Sequence, residues 1–173
     1  MSDPEEVSRR SFAAAAASAA LGTLSLSDEL SAQELSGDTL KSEFLFDVVF
    51  DVSTPFNLGS RQIVPVTGGT FAGPKLKGTA FSGGGDWIVR RSDGASVLNV
   101  RATLKTDDDQ LIYMSYDGIL YTPAGAKPGE FYWRTTPKFE TASPKYEWLT
   151  RIVAVGVGRP VPGKAAYRIF QIL

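Results

Sequence analysis

The chain is 173 residues long, with 43% apolar and 21% charged side chains and a formal net charge of −1, a size and composition suited to one globular domain. It contains neither histidine nor cysteine; disulfides, thiolate nucleophiles, Cys- or His-ligated metal sites and histidine-dependent triads are therefore excluded. A nearly balanced charge offers no basic face for nucleic acid, and any chemistry must fall to carboxylates, Tyr, Lys, Arg, hydroxyls or backbone.

The N-terminal residues read as an address. Arg9 and Arg10 stand directly before an uncharged, alanine-rich run from Ser11 to Ser27, too short and too weakly apolar to span a bilayer as a mature helix. The segment SRRSFAAAA resembles a twin-arginine export signal: paired arginines, a polar residue, then Phe and a mildly hydrophobic stretch. Leu30-Ser31-Ala32 offers a cleavage site. The expected organisation is a signal peptide over 1–32, a linker over 33–42 and a folded domain over 43–173, with a periplasmic or secreted destination. The alternative for the run is an alanine-rich surface helix, alanine being the strongest helix former.

From Glu43 the hydrophobic period becomes two. Phe44, Phe46, Val48, Phe50 and Val52 share one face while Asp47 and Asp51 lie on the other, the pattern of a half-buried strand. Further strands are predicted at Gln62–Val66, Leu76–Phe81, Trp87–Arg91, Val97–Leu104, Leu111–Tyr116, Phe131–Thr136, Arg151–Val157 and Ala166–Leu173. Turn signals fall at Asn57-Leu58-Gly59, Gly68-Gly69, Asp93-Gly94, Asp107 to Asp109, Asp117-Gly118 and Pro160-Val161-Pro162-Gly163. The Asp107–Asp109 run reads as a solvated hairpin, since it lacks the spaced ligands and terminal Glu of a calcium loop. Neither Gly83-Gly84-Gly85 nor Gly156-Val157-Gly158 carries the residues of a phosphate or dinucleotide loop. Short strands at near-regular spacing, with no amphipathic helix among them, predict an all-β fold, a single antiparallel β-barrel or a sandwich. The barrel is preferred because closure removes exposed edges.

Chemistry concentrates in a few stretches. In SGGGDWIVRRSDG three glycines precede Asp86 and Trp87, and such a run marks a bend or a close backbone approach. We read it as a bend at the barrel rim that aims Asp86 inward. In VLNVRATLK, Leu98, Val100, Ala102 and Leu104 oppose Asn99, Arg101, Thr103 and Lys105; in FYWRTT, Tyr132, Arg134 and Thr136 alternate with Phe131, Trp133 and Thr135. Periodicity does not say whether these polar faces meet water or line a cavity.

The motifs GGTFAGPKLKG, GGGDW, a DG turn, TLKTDDDQLIY, FYWRTTPKFET and KYEWLTRIVAVGVG occur in succession. Together they resemble the domain of unknown function family 3237, a group of small β-barrel proteins, over Phe44 to Leu173. The resemblance implies a lipocalin-like or allene-oxide-cyclase-like barrel of about eight or more strands, whose interior is filled by side chains or holds one small ligand. It places the family's recurring polar and aromatic positions on Arg61, Asp86, Trp87, Arg101, Tyr113, Arg134, Phe139, Glu140, Trp148 and Arg151, and implies no reaction. Where the family commonly carries Asp-Ala-Arg, this chain has Asn99-Val100-Arg101; Asn99 cannot ionise but still donates and accepts hydrogen bonds.

This set supports an expectation of cofactor-independent and metal-independent acid/base chemistry, of isomerase, cyclase, hydratase or lyase type, on a small aromatic or hydrophobic molecule in a barrel cavity. Asp86 and Glu140 would be the acid and base, tuned by burial or by neighbouring arginines. Tyr113 and Arg101 would be electrophilic stabilisers, and Arg61, Trp87, Asn99, Arg134, Phe139, Trp148 and Arg151 would bind substrate. The alternative is a non-catalytic barrel that binds a small hydrophobic ligand. A third reading is a packed structural or homo-oligomeric barrel in which Asp86–Arg and Glu140–Arg pairs tie strands together. Neither nucleic acid nor stable membrane insertion is expected in any of them.

Overall fold

The computed structural model describes residues 39–173; the twin-arginine segment, its cleavage site and most of the linker lie outside the described residues. The strands are β1 (Ser42–Val52), β2 (Phe56–Leu58), β3 (Arg61–Ala72), β4 (Lys77–Ala80), β5 (Gly84–Arg90), β6 (Ser96–Thr106), β7 (Leu111–Tyr121), β8 (Tyr132–Glu140), β9 (Ala154–Val161) and β10 (Lys164–Ile172), with a 3-10 turn at Glu147–Arg151 between β8 and β9. All pairings are antiparallel. β1 pairs β10 on one side and β3 on the other, which closes the sheet. β4 and β5 both lie between β3 and β6 and act as one interrupted strand, while β2 prolongs β1 along β3. The result is a closed eight-strand antiparallel barrel.

Register fixes which side chains point inward. Val48 faces Tyr167 and Phe71, Asp86 faces Val64 and Val100, Val100 faces Tyr116, and Gly118 faces Thr135. One end of the interior is solid. Phe46 packs edge-to-face on Phe71 and Phe139 at 5.7 and 6.0 Å, among the fully buried Leu104, Ile112 and Met114. The 3-10 turn closes this end: Tyr146, Leu149 and Ile152 recur every third residue and pack on the core, the spacing of a tight helical turn. That period-three pattern is why Arg151 belongs to this turn and the strand expected from Arg151 begins only at Ala154.

The other end is open. There the inward positions Val52, Val64, Ile88, Leu120 and Trp133 are only half-buried.

Two expected turns are absent because their glycines serve close approach. Gly68-Gly69 and Asp117-Gly118 lie within β3 and β7. A Cβ on Gly118 would stand 2.7 Å from the Arg134 carbonyl oxygen and from Thr135 Cγ2, so only glycine lets β8 pass there. The hairpins at Asp93-Gly94 and Asp107–Asp109 form as expected, the latter with Asp109 at φ 61°. Asp108 also tethers the plug: its carboxylate accepts from Lys145 at 2.6 Å, the Tyr146 hydroxyl at 2.9 Å and the Thr106 hydroxyl at 2.6 Å.

Candidate functional site

The three glycines before Asp86 interrupt and restart a strand. β4 ends at Ala80 and β5 begins at Gly84, with Gly83 at φ +98° between them. A Cβ on Gly84 would lie 2.4 Å from the Arg101 carbonyl oxygen. The chain therefore crosses the wall tightly and delivers Asp86, in register with Val64 and Val100, to the barrel interior. The β5–β6 ladder then skips Trp87 and Ile88 and resumes at Val89 opposite Val97. In the gap, Asp86 Oδ1 accepts the Asn99 backbone N–H at 3.0 Å.

Burial raises the Asp86 pKa from 3.8 to about 6, and the Asn99 N–H only partly offsets it. A carboxyl desolvated by an apolar wall holds its proton more tightly. Near neutral pH it can both take and return a proton, which suits general acid/base work.

Two buried phenols lie within reach of its charge, and an indole packs beside one of them. Tyr116 and Tyr167 meet edge-to-face at 5.2 Å, and Trp133 packs on Tyr167 at 5.0 Å. Burial raises both tyrosine pKa values, and the Asp86 charge adds to the rise; both phenols stay protonated, as neutral donors. Among the described residues Trp133 Nε1 makes no hydrogen bond of good geometry, although its N–H is directed at the Tyr167 hydroxyl and that interaction lowers the phenol's pKa against the rise from burial. Thr135 Oγ1 is likewise buried with no partner among the described residues.

The glycines of β9 make this packing possible. A Cβ on Gly158 would lie 2.0 Å from Trp133 Cδ2, and one on Gly156 2.2 Å from Thr135 Oγ1. Sequence reading passed over Tyr116, Tyr167 and Trp133 as site residues. The available signal was parity: Tyr116 shares the apolar face of Ile112 and Met114, and Trp133 shares that of Phe131.

The remaining expected site residues lie elsewhere. Asn99, Arg101, Tyr113 and Glu140 come together, but on the outer face of β6, β7 and β8, around a pocket of about 230 Å³ that Ser115, Thr136 and Lys138 also line. Arg101 lies 5.2 Å over the Trp87 ring and donates to Asn99 Oδ1 at 2.8 Å, and Asn99 Nδ2 donates to Asp117 at 2.6 Å. The barrel wall separates these side chains from the Asp86 carboxyl, which meets the Asn99 backbone instead. Arg61 is exposed and donates to the Trp87 carbonyl at 3.5 Å. Arg134 donates to the Trp133 carbonyl at 2.9 Å and lies 5.2 Å over Tyr132. Phe139 belongs to the closed-end core, Trp148 packs against that core under Lys75, and Arg151 pairs with Glu147 at 2.7 Å. Among the described residues no group of three or more acidic side chains is placed to hold a metal ion.

A family model described as protein of unknown function (DUF3237) matches residues 40–172. The chain belongs to this family. Among its relatives, a UPF0311 protein of Clostridium acetobutylicum is 31% identical over 146 residues, covering 75% of this chain and 92% of its own. A β-barrel-like protein of Acinetobacter baumannii superposes with a TM-score of 0.74 at 32% identity, covering 80% of this chain and 99% of that one. A structure described as an enzyme from Penicillium herquei superposes at 0.62 with 23% identity, covering 80% and 98%. The last likeness is one of fold, and family membership leaves enzymatic and binding roles both open.

Proposed function

We propose that the protein is a cofactor-independent enzyme that holds a small aromatic or otherwise hydrophobic molecule in the open end of its barrel and moves a proton on it, with Asp86 as the acid/base. The reaction class is isomerisation, cyclisation, hydration or elimination, none of which needs an electron acceptor. One observation carries the reading: Asp86 is an inward carboxyl with its pKa raised to about 6 by burial, its charge is felt by two buried phenols, and among the described residues no cation pairs with it. A carboxylate kept only to tie strands would be expected to pair with a cation and have its pKa lowered, as Asp47 does with Arg168 at 2.8 and 2.9 Å.

A second reading is a binding protein that uses the same open end of the barrel without turnover. Its support is the Asp86–Asn99 hydrogen bond, which gives the carboxylate a structural task at the ladder gap. The test begins with the melting temperature of the protein against a panel of small aromatic and alicyclic molecules, since a ligand at about a hundred times its dissociation constant adds ~2.7 kcal/mol. Product formation from a hit is then compared with Asp86→Asn. Loss of about 10²- to 10⁴-fold in turnover with the ligand-induced shift retained supports the enzyme; unchanged turnover rejects Asp86, and a shift with no turnover in either protein leaves the carrier.

A further inference from the structure

Among the described residues, the open end of the interior carries one carboxylate and no buried cation. Its inward positions are otherwise apolar or aromatic: Val52, Val64, Ile88, Leu98 and Leu120 beside Trp133. The arginine with inward register, Arg90, sits exposed at the rim and is held by Gln62 Oε1 at 2.8 Å. A ligand carboxylate would lie beside Asp86 with no counter-charge, a penalty on the order of tenfold or more in affinity at the effective dielectric of such sites. A neutral oxygen meets the opposite situation. Trp133 Nε1–H is a buried donor that makes no well-formed hydrogen bond among the described residues, its contact with the Tyr167 hydroxyl being a weak one, and such a donor gains from a better acceptor. The Tyr116 and Tyr167 hydroxyls lie in the same aromatic cluster.

Building on the acid/base reading above, we propose that the barrel takes a neutral, enolisable carbonyl compound, whose oxygen accepts from Trp133 Nε1–H and the Tyr116–Tyr167 pair while Asp86 works on the adjacent carbon. The Asp86 carboxylate forms an O–H bond with the α-proton. The C–H pair becomes the carbon–carbon double bond of an enolate, and the carbonyl π pair moves onto the oxygen, where the neutral donors stabilise it. The Asp86 carboxylic acid then returns the proton, to the same carbon or to the far end of a conjugated system. Atoms and charge balance, and no co-reactant is consumed.

The test uses the full-length protein with 2-tetralone and 2-naphthoate, a neutral ketone and a carboxylate on similar ring skeletons. Binding is followed by calorimetry at neutral pH, and α-proton exchange of the ketone in D₂O by NMR. The ketone is expected to bind more than tenfold tighter than the carboxylate. Its exchange is expected to be accelerated by the protein and abolished by Asp86→Asn with binding kept, and Trp133→Phe is expected to weaken ketone binding roughly five-fold, one hydrogen bond's worth. Equal or tighter binding of the carboxylate, ketone binding without accelerated exchange, or unchanged affinity in Trp133→Phe each overturns this inference. Val64→Trp, which fills the open end, separates that failure from the failure of the broader reading. A carboxylate whose binding Val64→Trp abolishes leaves the barrel site standing with a different substrate, whereas no binding of either probe overturns both.

Discussion

Asp86→Asn should stabilise the protein, and by an amount that depends on pH. The folded state holds the Asp86 proton with a pKa of about 6 against an ordinary 3.8. Below 3.8 the group is protonated in both folded and unfolded chains and contributes nothing. As pH rises, the unfolded chain releases the proton first, so stability is lost progressively from about pH 4 and the loss levels off above the folded pKa. At about 1.4 kcal/mol per tenfold in acid dissociation, the ionised carboxylate costs ~3 kcal/mol at pH 7.5. Most of that, about 2.5 kcal/mol, develops between pH 4 and 7.5. Asparagine keeps an acceptor for the Asn99 N–H without the charge, so it stands in for the protonated acid at every pH. Any penalty for its extra N–H groups is a constant offset. Carboxylates whose pKa values are lowered by partners, Asp47 by Arg168 and Asp108 by Lys145, are present in both proteins and cancel in the difference. The assay is urea unfolding of wild type and variant at pH 4, 5, 6 and 7.5. The midpoint difference should grow by roughly 1–2 M across the series. A difference that stays flat, or in which wild type gains on the variant as pH rises, refutes an inward, desolvated Asp86 and removes the basis for its role as base.

Gly158→Ala places a methyl 2.0 Å from Trp133 Cδ2; overpacking a fixed indole should cost about 3 kcal/mol and lower Tm by roughly 10 °C, and a change within about 2 °C would contradict this packing. Asp108→Ala removes the acceptor shared by Lys145, Tyr146 and Thr106; it should lower Tm and speed hydrogen exchange at the Leu149 amide, which bonds the Tyr146 carbonyl, and unchanged exchange there would contradict the tether. The support from Asp108 is present above the ordinary carboxylate range and disappears only in strong acid, because its partners hold its pKa well below 3.8. Glu140→Gln alters the outer pocket alone, so ligand-induced stabilisation and turnover should remain at wild-type values; a loss comparable to that of Asp86→Asn would move the site to the outer face.

The barrel and its open end differ in how far a sequence can announce them. Period-two alternation is enforced by burying one face of each strand, so Phe46, Val48 and Phe50, or Leu98, Val100 and Ala102, betray both strand and inward side. Hairpins at Asp93-Gly94 and Asp107–Asp109 show for a similar reason, since few residues tolerate those turns. Glycine is ambiguous, because it serves turns and close approach alike: Gly118 and Gly69 read as turns yet sit mid-strand where a neighbour's backbone leaves no room for a Cβ. Polar residues are ambiguous in another way. Arg101, Tyr113 and Glu140 carry the chemistry that attracts attention, and their own parity places them opposite Ala102, Met114 and Phe139, hence outside. Asp86 breaks its strand's pattern instead. It holds the inward parity of Gly84 and Ile88, and a lone carboxyl at an apolar position is a local inconsistency that folding does not require.

That inconsistency is the strongest argument for function here. Structural need accounts for one oxygen of Asp86, the one bonded to the Asn99 N–H, and a neutral Asn or Gln would meet that need without the cost of burying a charge. It accounts less well for Trp133, whose buried indole N–H makes no well-formed hydrogen bond among the described residues while Gly158 is kept bare to seat the ring; a Phe would pack there with no donor to satisfy. Two side chains that each make the folded protein less stable than an available substitute stand beside the same pair of tyrosines, at the end of the barrel that the 3-10 turn leaves unsealed. The proposed transfer of a proton beside a carbonyl gives a use to both: Asp86 as the base and the Trp133 N–H as a donor to the oxygen.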